Sequence, residues 1–115
     1  MKQLLVFLIT LTFFISCSTL QSNTVIKPKD SFILGNNQHG KFKVKLQNSS
    51  ENDIEVYHAP LNGGKHSSEV VKPNSKISVS VDPNTALYIV NNSNDTASVR
   101  LKVKGDMQLS MGYRN

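Results

Sequence analysis

The amino-acid sequence predicts an all-β protein, a sandwich of seven or eight short antiparallel strands, with a small β-barrel as the alternative. Two observations carry the prediction. From Ser31 onward, apolar and polar residues alternate with period two, the pattern of strands buried on one face. Between these runs lie clusters of Asn, Asp, Gly and Pro, and no helical period of apolar residues recurs beyond the first 16 positions.

The clearest alternation is Lys41-Phe42-Lys43-Val44-Lys45-Leu46-Gln47. It recurs in Lys76-Ile77-Ser78-Val79-Ser80-Val81 and in Val99-Arg100-Leu101-Lys102-Val103-Lys104. Shorter strands are expected at Phe32 to Leu34, Ile54 to Tyr57, Ser68 to Val71 and Met107 to Met111. Ala86-Leu87-Tyr88-Ile89-Val90 is apolar at nearly every position, which marks a central strand. Turns are expected at Gly35 to Asn37, Asn48 to Asp53, Asn62 to Gly64, Pro73 to Ser75, Asp82 to Asn84, Asn91 to Thr96 and Gly105-Asp106. The inward set includes Phe42, Val44, Leu46, Ile77, Val79, Val81, Val99, Leu101, Val103, Met107, Leu109 and Met111.

The first residues follow a different logic. Met1-Lys2-Gln3 is a short positive leader, Leu4 to Ile15 is an apolar run, and Ser16 precedes Cys17, the single cysteine among 115 residues. These are the parts of an export signal, and the run is shorter than the roughly 20 residues of a membrane span. Phe14-Ile15-Ser16-Cys17 resembles the lipobox of bacterial lipoproteins, with Phe where Leu is commonest and Ser where Gly or Ala is commonest. The resemblance implies that residues 1–16 are a signal peptide removed on export and that Cys17 carries a diacylglycerol. The partner so implied is membrane lipid, held through the Cys17 anchor. Ser18 stands where many inner-membrane lipoproteins carry Asp, so the resemblance implies a bacterial envelope address, at the outer membrane if the host has two membranes. The expected division is then 1–16 signal peptide, 17–30 lipidated Cys with a polar tether, and 31–115 β-sandwich domain. A flexible tether of that kind would span roughly 20 Å. Lipidation consumes the one thiol, so the domain must hold through its core, without disulfides.

Val81-Asp82-Pro83-Asn84-Thr85-Ala86-Leu87-Tyr88 resembles the corner before strand F of fibronectin type III domains, with the Tyr one residue late and no Trp in the chain. That resemblance implies an Ig-like order of strands within the sandwich class and says nothing of activity.

Catalytic chemistry finds little support. His39, His58 and His66 lack the short spacing of zinc ligands, so no metal and no cofactor are expected. There is no G-x-S-x-G elbow, and Gly63-Gly64-Lys65-His66 lacks the spacing of a phosphate loop. Glu51, Asp53 and Glu55 lie on a turn and a strand start, where acids mostly confer solubility. The expectation is a non-catalytic binding or interaction module rather than an enzyme. The alternatives are a structural accessory subunit of an envelope complex and, less favoured, a small hydrolase. Asp95-Thr96-Ala97 matches the Asp-Ser/Thr-apolar acceptor for O-glycosylation in Bacteroides-like bacteria, which makes Thr96 a candidate modification site.

Charge supplies the candidate surface. The formal net charge is +5, moderately basic. Lys41, Lys43 and Lys45 share one side of their strand, and Arg100, Lys102 and Lys104 share one side of theirs. If the two strands lie in one sheet, the stripes merge into a face for an anionic envelope component or protein partner. Nucleic acid is not an expected ligand, because aromatic residues do not interleave with the cations.

Overall fold

The computed structural model describes residues 19–114, and the segment expected to be a signal peptide, with Cys17, lies outside them. Nine strands follow in order: β1 (Thr19–Ile26), β2 (Ser31–Leu34), β3 (Phe42–Asn48), β4 (Ile54–Pro60), β5 (His66–Val71), β6 (Lys76–Val81), β7 (Thr85–Val90), β8 (Ala97–Gly105) and β9 (Met111–Tyr113). All pairings are antiparallel. Sheet A has the order β1-β8-β3-β6, and sheet B has the order β5-β4-β7-β2-β9. The two sheets remain separate, so the protein is the expected sandwich and not a closed barrel.

Every connection crosses from one sheet to the other except the β4–β5 hairpin. With β1 to β8 ordered in this way, the topology is the double Greek key of a jelly roll, and β9 extends sheet B beside β2. An immunoglobulin order would instead keep strands A, B, E and D in one sheet and C, F and G in the other. The corner at Val81–Tyr88 does carry the chain between sheets, from β6 to β7. Such a corner occurs in both topologies, which is why eight residues do not specify the strand order.

The alternation produces the core as expected. β3 buries Phe42, Val44 and Leu46 and exposes Lys43 and Lys45. β8 buries Val99, Leu101 and Val103 against them. The apolar β7 is the middle strand of sheet B, and Leu87 and Ile89 are wholly buried. Ile77 is only partly buried.

Two segments correct the sequence-based boundaries. The polar stretch expected as a tether forms β1, paired along its whole length with the free edge of β8. Its alternation is masked by small polar residues, yet Thr24 and Ile26 are buried beneath it. At the other end, residues 107–110 are not a strand. Met107 and Leu109 pack partly buried against the core, Met111 is 45% exposed, and pairing begins at Met111, where β9 meets β2. Gly105 and Asp106 divert the chain first. Gly105 has φ +112°, and a Cβ there would lie 2.8 Å from the Lys41 carbonyl oxygen.

One end of the sandwich is tied by two related loops. Asn48 and Asn91 end β3 and follow β7, and both are fully buried. Each opens an Asn-x-Ser-x-(Asn/Asp) segment in which the Asn Oδ1 accepts from the Ser backbone N–H and hydroxyl two residues on. The Asn48 amide donates to the carbonyls of Asn52 and Val71. The Asn91 amide donates to those of Asp95, Ile26 and Lys27. A buried side chain thereby satisfies carbonyls that leave the ladders where the chain turns.

Candidate functional site: the basic outer face of sheet A

Register decides whether the two cationic stripes meet, and they do. β3 and β8 are neighbours, with Lys43 opposite Lys104, Lys45 opposite Lys102 and Gln47 opposite Arg100. On the far side of β3, β6 places Ser80 beside Lys43, Ser78 beside Lys45 and Lys76 beside Gln47. Beyond β8, the outer edge strand β1 sets Thr19, Gln21 and Asn23 beside Lys104, Lys102 and Arg100. Lys41 is exposed one residue before β3, at the Lys104 end. All six cations expected from the sequence therefore lie on one side of the molecule. A further cation, Lys76, is not signalled by the two cationic stripes, because its strand joins the face only through the β3–β6 pairing.

Sheet A carries no Asp or Glu in any of its four strands. Sheet B carries no Lys or Arg in any of its five. Among the described residues, the ion pairs are Lys65–Glu55 at 3.1 Å and Lys72–Asp53 at 3.4 Å, and neither touches the basic face. Strands lie about 4.8 Å apart, so directly opposed lysines repel each other. Protection of a sheet edge does not explain them, because β3 and β8 are the two central strands.

The face is not flat. At its Arg100–Lys76 end lies an open depression of about 540 Å³. Lys45, Lys76, Arg100 and Lys102 surround it, together with the amides of Gln21, Asn23 and Gln47.

At the Lys41 end, Asp106 closes the turn between β8 and β9. The backbone N–H groups of Gln108 and Gly40 donate to its carboxylate and hold its pKa below the usual aspartate value, with a smaller contribution from nearby His39. A depressed folded-state pKa adds stability above the unfolded value, about 3.9, and loses it as pH falls through the folded value. Acidification below about pH 4 should therefore loosen this turn in the wild type, with a smaller acid response in Asp106→Asn. Melting temperatures of the two proteins between pH 6 and 2 provide the test. Parallel curves would remove Asp106 as a source of acid sensitivity.

The outer face of sheet B has a different character. Tyr57 and Tyr88 are cross-strand partners with rings stacked at 4.8 Å, and Lys65 Nζ lies 4.5 Å from the Tyr57 ring centroid. Burial, then the neighbouring Tyr88, raises the Tyr57 pKa. The Ser68 hydroxyl, then Lys65, lowers that of Glu55. Glu55 and Asp53 are thus engaged in separate ion pairs, and Glu51 is exposed on the preceding turn.

Two of the histidines come together and the third stands apart. His58 and His66 face each other across β4 and β5. His39 is buried. Its Nδ1 lies 2.5 Å from the Gly40 carbonyl oxygen, its Nε2 lies 2.8 Å from that of Thr85, and its ring packs edge-on to Phe42. The flanking glycines suggest an open loop, but the crossing from β2 to β3 draws this ring under the sheet ends. Among the described residues, no group of three or more His, Cys, Asp or Glu side chains is placed to hold a metal. Thr96 is exposed on the β7–β8 loop, accessible to a modifying enzyme.

No protein-family model matches the chain, and no curated protein matches it. Among solved structures, the fold is similar to part of the capsular polysaccharide assembling protein CapF from Staphylococcus aureus. In one crystal structure the TM-score is 0.58 at 16% identity, over 78% of this chain and 24% of that one. In a second, in space group C2221, it is 0.55 at 17% identity, over 73% and 24%. The chain matches only about a quarter of the length of CapF, and at these identities the likeness is one of fold.

Proposed function

We propose that this chain is a lipid-anchored protein of the bacterial envelope, attached at the outer membrane through Cys17, and that its sandwich is a non-catalytic module binding an anionic partner on the outer face of sheet A. The observation that carries the reading is the segregation of charge between the sheets. Among the described residues, every Lys and Arg within a strand lies in sheet A, and the strand carboxylates, Glu55 and Glu69, lie in sheet B. A face that served only solubility would be expected to mix both signs and avoid opposed like charges.

The start of β1 supports an anchored placement. Cys17 precedes Thr19 by two residues, a reach of about 7 Å, and Thr19 pairs with Lys104. An acyl anchor there would set the Lys104 corner beside the headgroups, and cations that close to an anionic surface reinforce a lipid anchor.

One set of proteins tests both halves. Clickable fatty acid should label the wild type and not Cys17→Ala. Freed of its leader and carrying Cys17→Ala, the protein should bind phosphatidylglycerol vesicles or soluble polyanion at low salt and release them at high salt, since exposed charges are screened over about 8 Å at physiological ionic strength. Changing Lys43, Lys45, Lys102 and Lys104 together to Gln should abolish binding and spare the fold. Equal labelling would overturn the anchor. A quadruple variant that binds like its parent would overturn the basic face.

A further inference from the structure

We infer that the depression at the Arg100–Lys76 end of the basic face is a binding site for an anionic saccharide, a hydroxylated sugar unit carrying a negative group. The inference rests on the proposed anionic-partner reading and names the class of ligand.

Four cations ring the depression, and three side-chain amides stand among them. Asn23 is in register with Arg100, Arg100 with Gln47, and Gln47 with Lys76. In the next row, Gln21 is in register with Lys102 and Lys102 with Lys45. Cations and amides thus alternate along the first row, and an amide flanks the paired lysines in the second. An acidic sugar needs this mixture: cations for its charge, and neutral groups that both donate and accept for its hydroxyls. Arg100 adds a planar fork able to hold two oxygens of one anionic group.

These amides are also unoccupied. Elsewhere the amides of Asn37, Asn48 and Asn91 are consumed in tying loops. Among the described residues, the side chains of Gln21, Asn23 and Gln47 make no hydrogen bond within the chain. The volume of about 540 Å³ falls within the range of small-ligand clefts, about 300–1,000 Å³.

A bilayer surface fits this end less well than a glycan. Headgroups presenting a broad charged plane would use neither the concavity nor the amides. Asn23 also lies four residues along β1 from Thr19, about 13 Å from the point where the chain leaves toward Cys17. The Lys104 corner is the part of the face closest to an anchor, and the depression is set back from it.

The test uses the full chain in non-ionic detergent micelles, titrated with a galacturonic acid trimer and with a neutral galactose trimer, and followed by calorimetry and by the backbone NMR shifts of β1, β3 and β8. The acidic trimer should bind and move residues 21–23, 45–47 and 100–102, and the neutral trimer should not. Arg100→Gln should weaken binding about tenfold, as for a charged hydrogen bond. Asn23→Ala and Gln47→Ala, which leave the charge unchanged, should each weaken it about threefold or more. Melting temperatures near that of the wild type establish that each variant is folded. Affinity unchanged in both amide variants would overturn the saccharide site and leave the electrostatic reading standing. Shifts produced by phosphatidylglycerol doped into the micelles, with none from the acidic trimer, would also overturn it, in favour of a lipid occupant. Binding of neither anion would overturn both readings.

Discussion

Asn91→Ala should destabilise the fold by about 3–5 kcal/mol, among the largest effects of any single polar substitution in the chain. Asn91 is fully buried, and its amide links three carbonyls from two parts of the chain: Ile26 at the end of β1, Lys27 just after it, and Asp95 in the loop ahead of β8. Its Oδ1 takes the Ser93 N–H and hydroxyl. Truncation strands these groups where water has poor access, and each unsatisfied buried group costs about 1–3 kcal/mol. Asn48→Ala should act in the same direction through Asn52, Val71 and Ser50. Urea denaturation measures both. A loss below about 1 kcal/mol for Asn91→Ala would show that the loops hold their shape without the amide.

Leu101→Ala should cost about 2–5 kcal/mol, while Lys102→Ala should stay within about 0.5. The two residues are adjacent on β8 and face opposite ways. Leu101 is 4% exposed, in register with Leu46, and truncating it leaves a cavity between the sheets. Lys102 points outward between Gln21 and Lys45, where losing one of two opposed cations offsets the lost packing of its stem. The same pair of variants tests the register that creates the basic face. A shift of one residue in β8 would turn Arg100, Lys102 and Lys104 into the core. Similar melting temperatures for the two variants would refute that register and the merged face with it.

The quadruple lysine variant removes cations along the whole face, Lys45 and Lys102 at the depression included, whereas the amide variants alter the depression alone. Lys43 and Lys104 lie near the start of β1, whereas Asn23, Gln47 and Arg100 lie at the depression. Loss confined to the lysine variant would leave a charge-driven partner on this face with no part for the amides.

Much of this protein follows from local order in the sequence. Period-two alternation is enough to assign β3, β6 and β8, because a strand half-buried by a core must alternate whatever its neighbours are. The same parity puts Lys43 and Lys45 opposite Phe42, Val44 and Leu46 before any partner strand is known. The apolar run of β7 signals a central strand for the same reason, since both its faces are covered or crowded by neighbours. Where local pattern is weak, tertiary structure decides. β1 reads as a polar tether because Ser22, Asn23 and Thr24 carry little hydrophobic signal, and it becomes a strand because β8 offers it an unpaired edge. His39 reads as a loop residue and is buried because two sheets meet above it. The jelly-roll order depends on which distant strands pair, and an eight-residue corner carries no information about that. So does the depression: Gln21, Asn23, Gln47, Lys76 and Arg100 come from four strands, and backbone pairing between segments distant in sequence brings them together.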